Sequence, residues 1–295
     1  MADLTGLRTQ EYSTNLELLS QQMKPKLATY CRKQTATGSK AFRMLSQLDD
    51  TSVVDVTTSA TPAMNIDTVH DGRWVYPQKK GWGTVVDDIE LLQTNIAPQG
   101  LYTTNAIAAM NRSDDDQFLT AFFGTAQTGE TGSTATTFDS NQVVAVTEGV
   151  GSATGLNVAK LREAKQILLE GDVDLDMEQI YVAVTPRQHD DLLALTQVVS
   201  TDFNDRPVLV EGMVQRFLGM NFVISTRLPT DSNSYRRLPV WIPSGIGCGV
   251  WKETTGRVRN RSDLFGDPDY VEVEKMKGFT RLEEAKAVEI KCSEA

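Results

Sequence analysis

The sequence predicts an α+β fold, with helices set between runs of strands and an antiparallel ending. Three stretches carry that reading. LYTTNAIAAMNRSDDDQFLTAFFGTA places Ala106, Met110, Phe118, Leu119 and Phe122 near helical spacing and stops at Gly124, which predicts one long helix. GLNVAKLREAKQILL reads as an amphipathic helix leading to the strand IYVAV at 180–184. At the C-terminal end, Val271 and Val273 alternate with Glu272 and Glu274, and Val288, Ile290 and Cys292 alternate with Glu289 and Lys291, as two half-buried strands would.

Composition narrows the function classes. The 295 residues are 40% hydrophobic and 23% charged, so the chain can bury a real core. Its formal net charge of -10 opposes tight binding to phosphate backbones, and any nucleic acid nearby is enclosed or avoided. Cys31, Cys248 and Cys292 are odd in number and far apart, which gives neither a disulfide framework nor a zinc pattern and fits a reducing compartment. MADLTGLRTQEYS lacks a basic region followed by an apolar run, and no long apolar stretch follows, so neither a signal peptide nor a membrane span is expected.

Along the chain, Tyr12, Leu16, Leu19, Met23 and Leu27 recur at gaps of four, three, four and four, which puts them on one face of a helix. Pro25 kinks or restarts it, and TATGSK at 35–40 ends it. That face fits a surface helix on its own domain or an arm docked on a neighbour. SVVDVTT, GRWVYP and GTVVDDIELL are β-type runs, and SATPAMNIDTVHDG joins the first two as the connector of an extended hairpin. A lone two-stranded ribbon is marginal in water, so this one is laid against its own chain or a neighbour, with Trp74 and Tyr76 as its aromatic contacts. GTAQTGETGSTATTFDSNQ, at 124–142, reads as a loop or ragged hairpin.

Enzyme-like features are few. Asp114, Asp115 and Asp116 are consecutive on a helix, point in different directions, and so cannot converge on one metal ion unaided. Gly149, Gly151 and Gly155 sit between a strand and a helix, as in a dinucleotide-binding unit. Their spacing is GxGxxxG, Asn157 caps the helix only after the loop, and no second βαβ unit follows. VTPRQHDDLLAL carries a capping box, with Thr185 as cap, Pro186 at the first helical position and Gln188 closing the box. His189 then reads as an exposed helix residue, His70 as a connector residue, and no GxSxG offers a nucleophile. No catalytic residue, cofactor site or metal site is expected.

VEGMVQRFLGMNFVISTRLP at 210–229, preceded by VTPRQHDDLLALTQVVSTDFN, resembles a segment of tailed-phage major capsid proteins. NLELLSQQMKPKLATYCRKQTATG resembles that family's N-terminal segment, RSDDDQFLTAFFGTAQTG its long helix and exit, and GLNVAKLREAKQILLEGDVD its helix before the strand YVAV. The matches run in order over most of the chain. The resemblance implies the Hong Kong 97-type capsid fold: an N-terminal arm over 1–42, an extended hairpin loop and the start of a peripheral domain over 43–99, and a spine helix with peripheral domain over 100–150. A mainly axial domain follows over 151–250, and C-terminal strands return to the peripheral domain over 251–295. Gly212 and Gly219 would then serve tight turns around a short helix and the strand NFVIS, with Phe217 and Phe222 in the axial core.

The implied function is a major capsid protein that self-assembles as pentamers and hexamers into an icosahedral shell enclosing double-stranded DNA. Tyr12, Leu16, Leu19, Met23, Trp74 and Tyr76 would be assembly contacts. The implied partners are other copies of the chain, a scaffolding protein, a portal and a decoration protein; the implied location is the virion, after assembly in the host cytoplasm. A shell of the same fold holding protein cargo, and a nucleotide-binding enzyme using the Gly149–Gly155 loop, are the alternatives.

Overall fold

The computed structural model describes residues 20–38, 40–48, 53–56, 70–86, 99–175, 177–195, 209–210 and 213–294. Tyr12, Leu16, Leu19 and Gly212, and most of the hairpin connector, lie outside the described residues. In chain order the strands are β1 Arg32–Thr35, β2 Phe42–Leu48, β3 His70–Val75, β4 Gln78–Val86, β5 Ala126–Thr128, β6 Thr134–Thr136, β7 Val143–Val144 and β8 Ile180–Val184. Then come β9 Leu209–Val210, β10 Met213–Val214, β11 Arg216–Phe217, β12 Met220–Ile224, β13 Arg236–Trp241, β14 Ile246–Asn260, β15 Asp269–Arg281 and β16 Ala287–Cys292. Three α-helices join them: α1 Gln99–Phe123, α2 Val158–Glu170 and α3 Pro186–Leu193.

The chain divides into two compact units, and α1, β14 and β15 each give residues to both. The smaller unit takes residues 1–24, 79–112 and 252–275. Here Ala106, Ile107 and Met110 from the first half of α1 cluster with Val273 of β15 and Trp82 of β4. A Cβ on Gly256 would stand 3.0 Å from Thr103 Cγ2, so glycine lets strand and helix approach closely. Lys275, fully buried, sends its ammonium to the Met110 carbonyl at 2.5 Å, which satisfies a charge that would be costly alone.

The larger unit takes residues 25–78, 113–251 and 276–295. Its centre is a six-stranded mixed sheet, ordered β11-β12-β8-β13-β16-β7. β12 runs parallel to β8 with Phe222 opposite Val182, and β13 runs antiparallel to β16 with Val240 opposite Val288. Phe118 and Phe122 of α1, Leu161 and Leu168 of α2, and Val182, Leu238, Trp241 and Ile290 of the sheet are all 0% exposed. Each such Leu or Phe stabilises the fold by roughly 1.5–3 kcal/mol. A second sheet, β2-β3-β5-β6, contains the described base of the hairpin, with Phe42 opposite Val75 and Leu48 opposite His70.

Several local expectations need correction. Residues 20–31 form no helix, and Leu27, read above as part of the helical face, is 0% exposed in the core. Burial of one leucine in a tertiary slot outweighs the helical spacing, and Pro25 breaks the ladder. Residues 53–56 of SVVDVTT carry no strand; the hairpin's first strand is β2, a few residues earlier. The expected short helix of VEGMVQRFLG is absent from its described residues: Met213–Val214 and Arg216–Phe217 are strands, and Leu218 and Gly219, with φ of 52° and 84°, form a two-residue hairpin turn into β12. His189 is 7% exposed, and its Nε2 accepts the Val214 amide at 3.0 Å, so a strand covers the face that the helix alone would expose.

Candidate functional site

The second half of α1 is the best-specified feature of the larger unit. Asp114, Asp115 and Asp116 diverge as helix geometry requires, and each meets a different element. Asp114 approaches the Lys277 ammonium of β15 at 3.4 Å. Asp115, fully buried, accepts backbone N–H groups from Lys26 at 3.0 and 3.1 Å, Leu27 at 2.9 Å and Ala28 at 3.0 Å. One carboxylate thus gathers the N–H groups of three successive residues, a backbone nest closed on a side chain. Asp116 binds Arg227 in a two-pronged pair, at 2.6 and 2.5 Å. Asp116 is the first cause that raises the Arg227 pKa, although solvent reaches both side chains and screens the pair.

The far end of α1 is held from the other direction. Arg281, 0% exposed, donates to the carbonyls of Phe122 at 2.5 Å and Gly124 at 2.9 Å. A cation there complements the negative end of the helix dipole. The N-terminal segment is rooted by the same neighbourhood: Leu27 enters the core, Tyr30 stacks on Tyr181 at 4.1 Å, and the Tyr30 carbonyl accepts the Trp241 indole N–H at 2.8 Å. Sequence reasoning had the three aspartates pointing in different directions but did not see their partners, which are up to 163 residues away.

Among the residues expected to make assembly contacts, Met23 is 40% exposed and Tyr76 is 47% exposed. Trp74 is half-buried and donates its indole N–H to the Gly129 carbonyl at 2.8 Å. The Tyr76 hydroxyl donates to the Gly132 carbonyl at 3.2 Å, so both aromatics grip the β5–β6 turn of their own chain. One residue with the signature of a contact was not anticipated. Phe265, in the turn between β14 and β15, is 105% exposed beside Leu264 at 41%.

The Gly149–Gly155 loop lacks the geometry of a dinucleotide site. β7, before it, pairs with β16, whereas β8, after α2, lies between β12 and β13, so the two strands are not neighbours in one βαβ unit. The N-terminus of α2 is already occupied: the Asn157 side chain accepts the Lys160 N–H at 2.8 Å, and Asp191 accepts the Leu156 N–H at 3.1 Å. A carboxylate at that position repels a phosphate. The Lys160 ammonium turns inward to the carbonyls of Thr154, Gly155 and Lys291 at 2.7, 3.0 and 3.0 Å, and burial lowers its pKa. Among the described residues no group of His, Cys, Asp and Glu is arranged to hold a metal ion.

The geometry is that of a subunit with strong internal anchors and exposed apolar tips. The sequence profile of the phage capsid protein family matches residues 5–294. The chain belongs to that family. It is a major capsid protein, a subunit of the shell. The fold of this capsid protein is shared with solved phage structures at low identity. The capsid of cyanophage P-SCSP1u superposes with a TM-score of 0.74 at 13% identity, covering 100% of this chain and 96% of that one. The capsid of cyanophage Pam1 gives 0.73 at 13% identity, covering 99% of each chain. The head of Helicobacter pylori bacteriophage KHP40 gives 0.74 at 11% identity, covering 97% and 96%. No curated protein matches the chain. The α+β Hong Kong 97-type fold expected from the sequence is the fold these relatives share, and the family is one of structural proteins.

Proposed function

We propose that the capsid protein assembles as pentamers and hexamers into an icosahedral shell that encloses double-stranded DNA in the virion. The observation that carries this reading is the family match over nearly the whole chain. Identical subunits repeat heterologous contacts until the surface closes. The smaller unit, with residues 79–112 and 252–275, acts as the peripheral domain, and the segment 151–250 of the larger unit supplies the axial domain. The arm before Lys24 and the tip of the hairpin reach neighbouring subunits, with Met23 and Tyr76 among the contacts, joined by Tyr12, Leu16 and Leu19. Gly212 and Gly219 hold turns that fix the subunit's shape.

The formal net charge of -10 favours a container whose wall does not hold its DNA tightly. Assembly in the host cytoplasm uses a separate scaffolding protein and a portal, and a decoration protein joins the finished shell. The chain carries out no chemistry of its own in this role. Light scattering after size-exclusion chromatography, with and without the co-expressed scaffold, tests the proposal, and negative-stain images give the product's shape. Pentamers, hexamers or closed shells are expected. A strictly monomeric species under every such condition overturns it.

A further inference from the structure

Phe265, at 105%, is the most exposed large hydrophobic side chain among the described residues. The β14–β15 turn that carries it, in the smaller unit, is braced by its own bonds. The Arg261 N–H donates to the Pro268 carbonyl at 2.9 Å, the Asp267 N–H donates to the Leu264 carbonyl at 3.3 Å, and the Arg261 guanidinium pairs with Asp263. Gly266 and Asp267, with φ of 89° and 46°, close the turn in left-handed backbone. The ring is thus presented on a stiffened support, which lowers the ordering cost of burying it against a partner. Asp263 is engaged by Arg261, whereas the exposed Asp267 forms no ion pair among the described residues. The tip is therefore an aromatic knob with one uncompensated carboxylate beside it.

The larger unit carries an opening of matching character. A cavity of about 520 Å³ is lined by Arg32, Glu178, Gln179, Tyr181, Pro243 and Ser244, a size that admits an aromatic ring with room to spare. Tyr181 and Pro243 supply apolar surface, and Tyr181 is held in place by Tyr30, stacked on it at 4.1 Å. Two of the six lining residues are charged. Glu178 accepts the Ser244 hydroxyl at 2.5 Å and faces the Lys286 ammonium at 4.0 Å, so its charge is answered within its own chain. Arg32, exposed on β1, forms no ion pair among the described residues. The cavity thus combines an apolar lining with one uncompensated cation, the complement of the tip.

We propose that Phe265 of one copy of the chain enters the cavity of a second copy, against Tyr181 and Pro243, with Asp267 of the first copy pairing with Arg32 of the second. The inference rests on the assembly reading above and names one of its contacts. Knob and cavity are different surfaces, so the contact is heterologous: each copy uses both, and the contact passes from copy to copy until the set closes. An aromatic anchor seated in a pocket is where interface energy concentrates. One such ring buries roughly 150–250 Å². A stable interface needs about 1,200–2,000 Å² in total, so this contact fixes register within a shell and does not hold two isolated subunits together.

The test places the photo-reactive p-benzoyl-phenylalanine at position 265 of the full-length protein and assembles it with heavy-isotope-labelled wild-type subunits. The shells are irradiated and their peptides mapped. A cross-link from position 265 to a labelled peptide containing Gln179 and Tyr181, or Pro243 and Ser244, is expected, with none from isolated subunits. Arg32→Asp and Asp267→Arg should each lower shell yield about tenfold, and the two exchanges together should restore it to within about threefold of wild type. Four results overturn the proposal alone: shells whose cross-links land elsewhere on the capsid chain, cross-links to a co-expressed scaffolding protein instead, shells with no cross-link between chains, or a double exchange no better than either single one. A folded wild type that forms no shell under any condition overturns the assembly reading and this contact with it. The cross-link map decides the matter even where a charge variant fails to fold.

Discussion

Asp115 Oδ1 accepts the Leu27 amide N–H at 2.9 Å, and both residues are 0% exposed. A helix residue thereby fixes the backbone of a segment 88 positions earlier in the chain. Asp115→Ala removes the acceptor of three backbone N–H groups at once and leaves two of them, on buried Leu27 and Ala28, without a partner at roughly 1–3 kcal/mol each. The expected loss is about 2–6 kcal/mol, read as a lower urea midpoint with an unchanged slope. Asp115→Asn keeps one acceptor oxygen and should fall between wild type and Ala. A wild-type midpoint for Asp115→Ala would show that solvent already satisfies those amides.

The same anchor divides the N-terminal segment into two parts with different roles. Removing residues 1–19 leaves Leu27, Ala28 and Tyr30 in place, so the subunit should keep its melting temperature while shell yield falls. Removing residues 1–30 takes Leu27 from the core and the Tyr30 carbonyl from Trp241, and should lower stability by about 3–5 kcal/mol or prevent folding. Equal melting of the two truncations would place the root of the segment outside the core.

Phe265 offers the complementary test on the smaller unit. A phenylalanine at 105% exposure contributes nothing to the subunit's own packing. Phe265→Ser should leave the melting temperature within about 1 °C and reduce shell formation, because an apolar tip in a shell subunit is covered only by another chain. Electron micrographs of wild type and variant at equal protein concentration give the answer. Full shell yield from Phe265→Ser would remove this residue from the set of contacts.

Acid should loosen the C-terminal end. Arg236 first, with Gln188 and Thr185, holds the Glu294 carboxyl at about 2, below its ordinary 4.5. A depressed folded pKa gives stability that is complete above pH 4.5 and is lost as pH falls towards 2. Glu294→Gln should therefore cost about 2 kcal/mol at pH 7 and almost nothing near pH 2. Lys252 and Lys79 hold Glu274 at about 2 in the smaller unit, so a second, independent loss is expected over the same range. Urea titrations of Glu294→Gln and wild type from pH 7 to pH 2 check both sign and window; a gap that widens on acidification contradicts the assignment.

The periodic elements were legible in the sequence because each buries its own stripe. The long helix was expected from Gly100 to a stop at Gly124 and is Gln99–Phe123, the Asn157 cap and the Thr185–Gln188 capping box are in place, and β15 alternates as read; β16 does not, because Glu289, flanked by β13 and β7, is 1% exposed and paired with Arg237. What the sequence did not disclose depends on long-range partners. β1, Arg32–Thr35, has an exposed side-chain pattern with no apolar alternation, and it is a strand only because β14 offers a parallel edge. Leu27 fits a helical period equally well as a core plug. Asp115 carries no local mark of the groups it meets, and Phe265 looks like any loop phenylalanine until its exposure is known.

Gly219 shows how a local signal can be right in residue type and wrong in setting. Its φ of 84° was anticipated as a helix terminator's; the structure puts it second in a two-residue turn, after Leu218 at 52°, with Phe217 opposite Met220. Both positions of such a turn need positive φ, which glycine adopts freely and a side chain adopts at about 1–2 kcal/mol. Space does not limit substitution there, because a Cβ would meet only Lys165 Nζ at 3.8 Å. The cost is therefore conformational and should rank by tolerance of left-handed backbone: Asn least, Ala at about 1 kcal/mol, Val highest at about 2 kcal/mol. Gly100→Ala, inside α1 with nothing within 4 Å, is the control and should be neutral or stabilising. Met220 is 0% exposed and Phe217 is 7% exposed, so a strained turn splays two core residues, and Gly219→Val should also aggregate on heating and yield few shells. Thermal melts of the four variants decide it: Val no worse than Asn would mean that the turn relaxes without loss and that Gly219 does not fix the shape of the subunit.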